Sequence, residues 1–251
     1  MVNGRKGHGT IFSRSRDCLY TMLSPTSSLL ERQTDAHVEA LRRNFQHGYT
    51  SLDVARRKWA SYSGKAALTN CANSRSRIAY AQDAHHWPAS LPGAAAVRRG
   101  VEARALHELS GARSAAWTVL DGLEDVVAGM HTTVAEMRAR LAEASHAVGA
   151  ERACHAPLVH TESASQLLAR ADDLIAAFGS ELRLRRAVVE ELAGRTGQED
   201  GADGAVQLYL SAWVLEPHLN PEWMDGLFQS VCLDQAAGRG TPGRSPRQTQ
   251  A

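Results

Sequence analysis

Long apolar runs are missing from this sequence. None approaches the roughly 20 residues needed to cross a bilayer, so a membrane-spanning protein is not expected. Clustered cysteines are missing too: Cys18, Cys71, Cys154 and Cys232 are dispersed among 251 residues, too widely for a CxxC pair or a dense disulfide framework. A reducing intracellular compartment fits that usage. Excess charge of one sign is lacking as well. With net charge +1, 43% hydrophobic residues and a pI near 7.8, the chain is not a polyanion binder by charge alone, and its length allows one or two soluble domains.

Catalytic signatures are absent as well. No G-x-S-x-G elbow, phosphate-binding glycine loop or HExxH pair occurs, so neither an enzyme nor a small-molecule substrate is expected. Cys154, His155 and His160 around Pro157, with His85 and His86, come nearest to a metal site. Their residue types suit zinc, but their spacing matches no familiar finger; ordinary loop residues are expected, with no bound metal or cofactor. Near the N-terminus Arg5, Lys6, Arg14 and Arg16 stand with one acid, Asp17. Gly4, Gly7 and Gly9 spoil the amphipathic helix that an import signal would need.

What is present is helical periodicity. Val38, Phe45, Leu52 and Trp59 repeat every seven residues, with Leu41, Ala55 and Tyr62 offset and Gly48 interrupting their row; this predicts a helix over about 30–62. A shorter helix using Leu68, Cys71 and Ile78 follows Gly64. The segment HHWPASLPGAAAVRRG holds two prolines and two glycines beyond that helix and reads as a linker. From Val101 to Val148 two rows continue for more than four heptads: Ala116, Leu123, Met130, Met137 and Ala144, and Leu120, Val127, Val134, Leu141 and Val148. Gly122 and Gly129 lie off both rows, each costing about 1 kcal/mol relative to alanine, so packing must hold this helix.

GAERACHAP breaks the pattern, and a further helix is expected near Thr161, whose hydroxyl can cap its first turn. Leu168, Ile175, Leu182 and Val189 form its main row, flanked by Phe178 and Leu192, while Leu167, Leu174, Leu184 and Val188 widen the apolar face enough for two neighbours. Clustered glycines and acids in GRTGQEDGADG end it. AVQLYLSAWVLEP reads as another helix, halted before Pro217, and NPEWMDGLFQSV as a last one, capped by Asn220 with Pro221 at its first position. The fold class is therefore all-α: an elongated helical bundle of coiled-coil-like helices with disordered termini. The expected divisions are a variable or disordered segment 1–29, an N-terminal helical region 30–80, a flexible linker 81–100, a core helical region 101–236 and a disordered tail 237–251.

Arg185 is the anomaly, because it occupies a seven-residue row with Phe178 and Leu192. Two readings are open. Glu181, four residues earlier, could pair with it while its aliphatic stem covers apolar neighbours and its guanidinium reaches water. Alternatively Arg185 and Arg186 face a partner's carboxylates, for which a planar fork is suited. Tyr209 and Trp213 are expected as mixed core and interface residues, since large aromatics serve both purposes. Basic clusters stand at 56–58 and 183–186, and Glu181, Glu190 and Glu191 balance the arginines of the second. Solvated, salt-bridged faces are the expectation there, and direct nucleic-acid binding is not expected.

The stretches ELRLRRAVVEELA, LYLSAWVLEP and PLVHTESASQLL, with TVLDGLEDVVAGM upstream, resemble the cyclin-dependent kinase 2-interacting protein family. The resemblance covers about Leu109 to Leu233, with a fainter echo in RKWASYSGKAALTNCANSRSRI. It implies a small, helical, non-catalytic adaptor of the nucleus, in the company of cyclin-dependent or replication kinases, a checkpoint complex and a chromatin-linked AAA ATPase assembly also tied to ribosome maturation. It also implies roles in DNA replication, the DNA damage response and the cell cycle. A basic pair at Arg185 and Arg186 belongs to the same resemblance. By the same route Thr241 is a candidate phosphorylation site, in TPGR, and Ser245 also precedes a proline, as does Ser24. The alternative reading is a helical nucleic-acid-binding subunit using its arginine clusters.

Overall fold

The heptad rows find their mates within the chain. The computed structural model describes residues 25–62, 64–87, 92–159, 162–194 and 202–238. Seven α-helices, a 3₁₀ turn between the second and third, and one two-stranded ribbon account for the described elements: α1 (Pro25–Ser61), α2 (Lys65–Gln82), α3 (Ala94–Val148), α4 (Ala150–His155), β1 (Pro157–Val159), β2 (Glu162–Ser163), α5 (Ala164–Gly194), α6 (Ala202–Leu215) and α7 (Pro221–Gly238). The fold is all-α, as its periodicity predicted. With 55 residues at 1.5 Å each, α3 is about 80 Å long and forms the axis on which α1, α2 and α5 lie. No described helix is long and apolar enough to cross a membrane.

Packing explains why so long a helix tolerates internal glycines. The first row of α3 is buried throughout, as are Leu120, Val127 and Val134 of the second, while Leu141 and Val148 pack partly buried against the same core. Phe45, Leu52 and Trp59 of α1 meet this surface from one side and Leu167, Leu174, Phe178 and Val189 of α5 from another. Gly122 is a point of close approach: a Cβ there would stand 2.5 Å from the Tyr62 ring. At Gly129 a Cβ would meet nothing within 4 Å. A buried polar anchor is Tyr49, whose hydroxyl donates to the Leu167 carbonyl at 2.6 Å. Burial raises that phenol well above its ordinary 10.0, because the anion would lose its hydration.

The structure alters several expected boundaries. The linker expected over 81–100 contains a 3₁₀ turn, Ala84–His86, and the start of α3 at Ala94. Gly93, at φ 84°, sets the chain into the helix, and three successive alanines then carry it, alanine being the best helix former. Nor does this segment divide two cores: Leu41 and Leu68 share one buried cluster with Leu123, Phe178 and Phe228. The α2–α3 hairpin does extend beyond that cluster, on a small core of Cys71, Ile78, Ala105, Leu109 and Ala112.

The interruption after Val148 holds α4 and the antiparallel ribbon, in which Pro157 pairs with Ser163 and Val159 with Glu162. Strands of three and two residues are too short to show a period. Arg42 pins the ribbon by donating from Nε to the Leu158 carbonyl at 2.7 Å. The cap of α5 is Ser163: its N–H donates to Gln166 Oε1 at 2.9 Å and its Oγ accepts from the Gln166 N–H at 3.4 Å, a reciprocal capping box. Thr161, the expected cap, lies outside the described residues, as does His160.

Helix α6 starts inside the glycine-rich stretch expected as a turn, and α7 starts as expected, with the Trp223 N–H donating to Asn220 Oδ1 at 3.0 Å. Of the segments expected to be disordered, 25–29 and 237–238 are helical. The rest of both, with Ser24, Thr241 and Ser245, lies outside the described residues.

Candidate functional site

The arginine in the apolar row is the centre of a buried polar cluster. Position 185 faces inward because Phe178 and Leu192, seven residues to either side, do so. Its side chain is 3% exposed, so the guanidinium does not reach water as a snorkelling side chain would. It lies between two indoles, 5.0 Å from the Trp59 ring centroid and 4.6 Å from that of Trp213. Both rings present the negative face of their π systems to the cation.

Two carboxylates complete the cluster. Arg185 Nε donates to Glu181 Oε1 at 3.3 Å, one helical turn back, and Nη2 donates to a Glu216 carboxylate oxygen and to the Trp213 carbonyl. Each carboxylate has a second donor: the His218 backbone N–H reaches Glu181 Oε2 at 3.3 Å, and Trp59 Nε1 reaches Glu216 Oε1 at 3.2 Å. Glu181 has no exposed side-chain surface, whereas Glu216 retains 37%. Burial raises the Glu181 carboxyl above its ordinary range, against the lowering pull of the His218 N–H and Arg185.

The cluster ties α1 through Trp59, α5 through Glu181 and Arg185, and the α6–α7 turn through Glu216. Pro217 ends α6, and Glu216 takes φ 45°, a left-handed conformation that costs free energy for a residue with a side chain. The Leu219 N–H closes this turn on the Glu216 carbonyl at 2.8 Å. Gly64 completes the fit from the other side. At φ 53° it allows the chain to turn from α1 into α2, and a Cβ there would stand 2.6 Å from the Trp213 ring. The assembly cannot shuttle protons through its cation, since arginine does not deprotonate in proteins. It positions α6.

The remaining residues marked from sequence are placed as follows. Arg186 is exposed and pairs with Glu124 of α3. Trp213 is 2% exposed, and Tyr209 is partly buried against the core. The guanidinium fork that sequence allowed toward a partner's carboxylates instead holds Glu181 and Glu216 of its own chain. Sequence reasoning missed Trp59 and Glu216 as members of the cluster. Their signals were Trp59's place in an apolar row and a carboxylate immediately before a helix-ending proline.

Outward, α6 shows Leu208, Val214 and Leu215 at 67%, 52% and 74% exposure. Leu208 and Leu215 are seven residues apart and so share a helix face. Among the described residues no group of three or more metal-ligating side chains converges. No protein-family model and no curated protein matches the chain.

Proposed function

We propose that the chain is a non-catalytic helical adaptor subunit of a nuclear complex acting in DNA replication and checkpoint signalling. Its partners would be the cyclin-dependent or replication kinases, checkpoint complex or AAA ATPase assembly that the resemblance implies, the last with its tie to ribosome maturation. The observation that carries this reading is the contrast between the two faces of α6. Trp213 is locked inward by the Arg185 cluster, while leucines and a valine are left in water on the outer face. Apolar ridges spaced seven residues apart are what a partner's groove reads in helix recognition. Tyr209 lies between the faces and is assigned to both core and interface. Arg185 is assigned an indirect part, holding α6 in place, and Arg186 a place beside the interface that is already paired with Glu124.

Affinity purification of the full chain from native cells, followed by mass spectrometry, tests this. The expected result is stoichiometric kinase, checkpoint or AAA ATPase subunits. A self-sufficient monomer without stoichiometric company contradicts it. The alternative, a nucleic-acid-binding subunit, is less well supported by the two basic clusters marked in the sequence: Arg56 and Arg57 pair with Asp53, and Arg56 also with Asp225, Arg185 and Arg186 are held as described, and Lys58 and Arg183 are the exposed cations left over.

A further inference from the structure

Charge is unevenly distributed along this nearly neutral chain. Residues 65–113, which span α2 and the first part of α3, carry seven lysines and arginines against three carboxylates, whereas residues 114–238 carry eight against nineteen. In the acidic part most arginines find carboxylates, as Arg138, Arg170 and Arg186 do. In the α2–α3 arm they do not. Arg77 pairs with Glu108, but Arg75, Arg98, Arg99, Arg104 and Arg113 form no ion pair with any described residue.

The arm's three acids are all engaged already. Glu108 holds Arg77, Glu102 accepts from Gln82 Nε2 at 3.0 Å, and Asp83 accepts from the His85 N–H at 2.9 Å and contacts His86 Nδ1 at 2.8 Å. Two of these cross-links, Arg77 to Glu108 and Gln82 to Glu102, also fix the antiparallel register. They set Tyr80 level with Arg104.

Two further observations mark positive charge that the arm itself leaves unbalanced. Arg75 and Arg113 both approach Cys71, where their charges pull the thiol down against the stronger upward push of burial. Nε and Nη2 of Arg113 are shielded from water and have no hydrogen-bond partner, a costly condition for charged donors. Arg99, Leu106 and Arg113 stand seven residues apart and continue that basic stripe toward the end of the arm. There Tyr80, 48% exposed, clusters with His86 at 4.8 Å and Trp87 at 5.7 Å between ring centroids. Trp87 Nε1 donates to the Tyr80 carbonyl at 3.1 Å and fixes the cluster.

We propose that the α2–α3 arm binds a single strand of nucleic acid, with phosphates on the exposed Arg99 and Arg104 and a base against the Tyr80 and Trp87 rings. Unpaired arginines beside exposed aromatic faces are the combination that single strands use, since every base offers a flat face for stacking. An acidic peptide would use the arginines and leave the aromatic cluster without a role. The site is separate from the outer face of α6, so either can fail without the other.

The test is fluorescence anisotropy of the full chain with a labelled oligothymidylate of about 20 nucleotides, titrated across salt. Affinity should fall as salt rises. Arg99→Glu with Arg104→Glu, both at exposed positions, should weaken binding about tenfold or more with unchanged circular dichroism. Two lost phosphate contacts should reduce the salt slope by about 1.4. Tyr80→Ala should weaken binding by at least about fivefold, the lower end of what one stacked base contributes. Binding that is absent, insensitive to salt, unchanged by the charge reversal, or displaced equally well by polyglutamate overturns the proposal.

Discussion

Replacing Arg185 with methionine is the most informative perturbation of the buried cluster. Methionine keeps an unbranched apolar stem between the two indoles, so most of the loss is electrostatic. Glu216 keeps the Trp59 N–H and is partly hydrated, at 37% exposure. Glu181 is fully enclosed and keeps only the His218 N–H. Removing one member of a buried ion pair costs about 3 to 5 kcal/mol, chiefly through the charge left behind. The two cation–π contacts lie in the same desolvated volume, and their energies overlap with that figure rather than adding to it. A loss of about 4 kcal/mol is a large share of the roughly 5 to 15 kcal/mol that keeps a domain folded. At about 2 to 4 °C per kcal/mol it lowers the Tm by roughly 8 to 16 °C. Urea titration and thermal melting followed by circular dichroism measure both. Adding Glu181→Gln should recover at least about half of the loss, because a neutral amide needs no cation and its oxygen still accepts the His218 N–H. A single variant within about 1 kcal/mol of the parent, or a double variant no better than the single one, would refute the reasoning.

The same carboxylate gives a pH prediction. Burial places the folded Glu181 above its ordinary 4.5, so between these values the folded state binds more protons than the unfolded one, and its contribution to stability falls as pH rises through that window. The stability of the parent minus that of Glu181→Gln should therefore decrease as pH rises from 4.5, and a difference that increases over that range would show the sign to be wrong. At the glycines of α3, Gly129→Ala should stabilise the chain by up to about 1 kcal/mol in chemical denaturation, whereas Gly122→Ala meets the Tyr62 ring and should destabilise it. Gly64→Ala adds backbone strain to a clash with Trp213 and should cost about 1 to 3 kcal/mol by the same measurement. Ser163→Ala removes half of a reciprocal cap and should cost about 1 kcal/mol.

The helices were legible because seven-residue rows report directly on burial. Every residue of the Ala116, Leu123, Met130, Met137 and Ala144 row proved buried, and Pro217 and Asn220 marked the end of α6 and the start of α7. The ribbon was not legible, being shorter than any periodic window, and the linker was misjudged because prolines and glycines are local signals that three alanines outweigh within a few residues. Arg185 shows a different limit. Its place in an apolar row declared it unusual, but its carboxylates come from one turn away and from 31 residues further along the chain. Only the packing of α1 and α5 against the α6–α7 turn brings Trp59, Glu181 and Glu216 around it. The exposed row on α6 was hidden for a related reason: Leu208 and Leu215 look as apolar in sequence as the buried Trp213 beside them.

The central claim is that the outer face of α6 is where this chain meets its partners. Its most direct test compares the parent chain with Leu208→Asp plus Leu215→Asp, both tagged, expressed at equal levels in native cells and purified side by side with quantitative mass spectrometry. Because both leucines are mostly exposed, the variant should keep its circular dichroism and Tm while losing the bulk of its stoichiometric partners. A variant that is equally folded and retains every partner in full would contradict the claim.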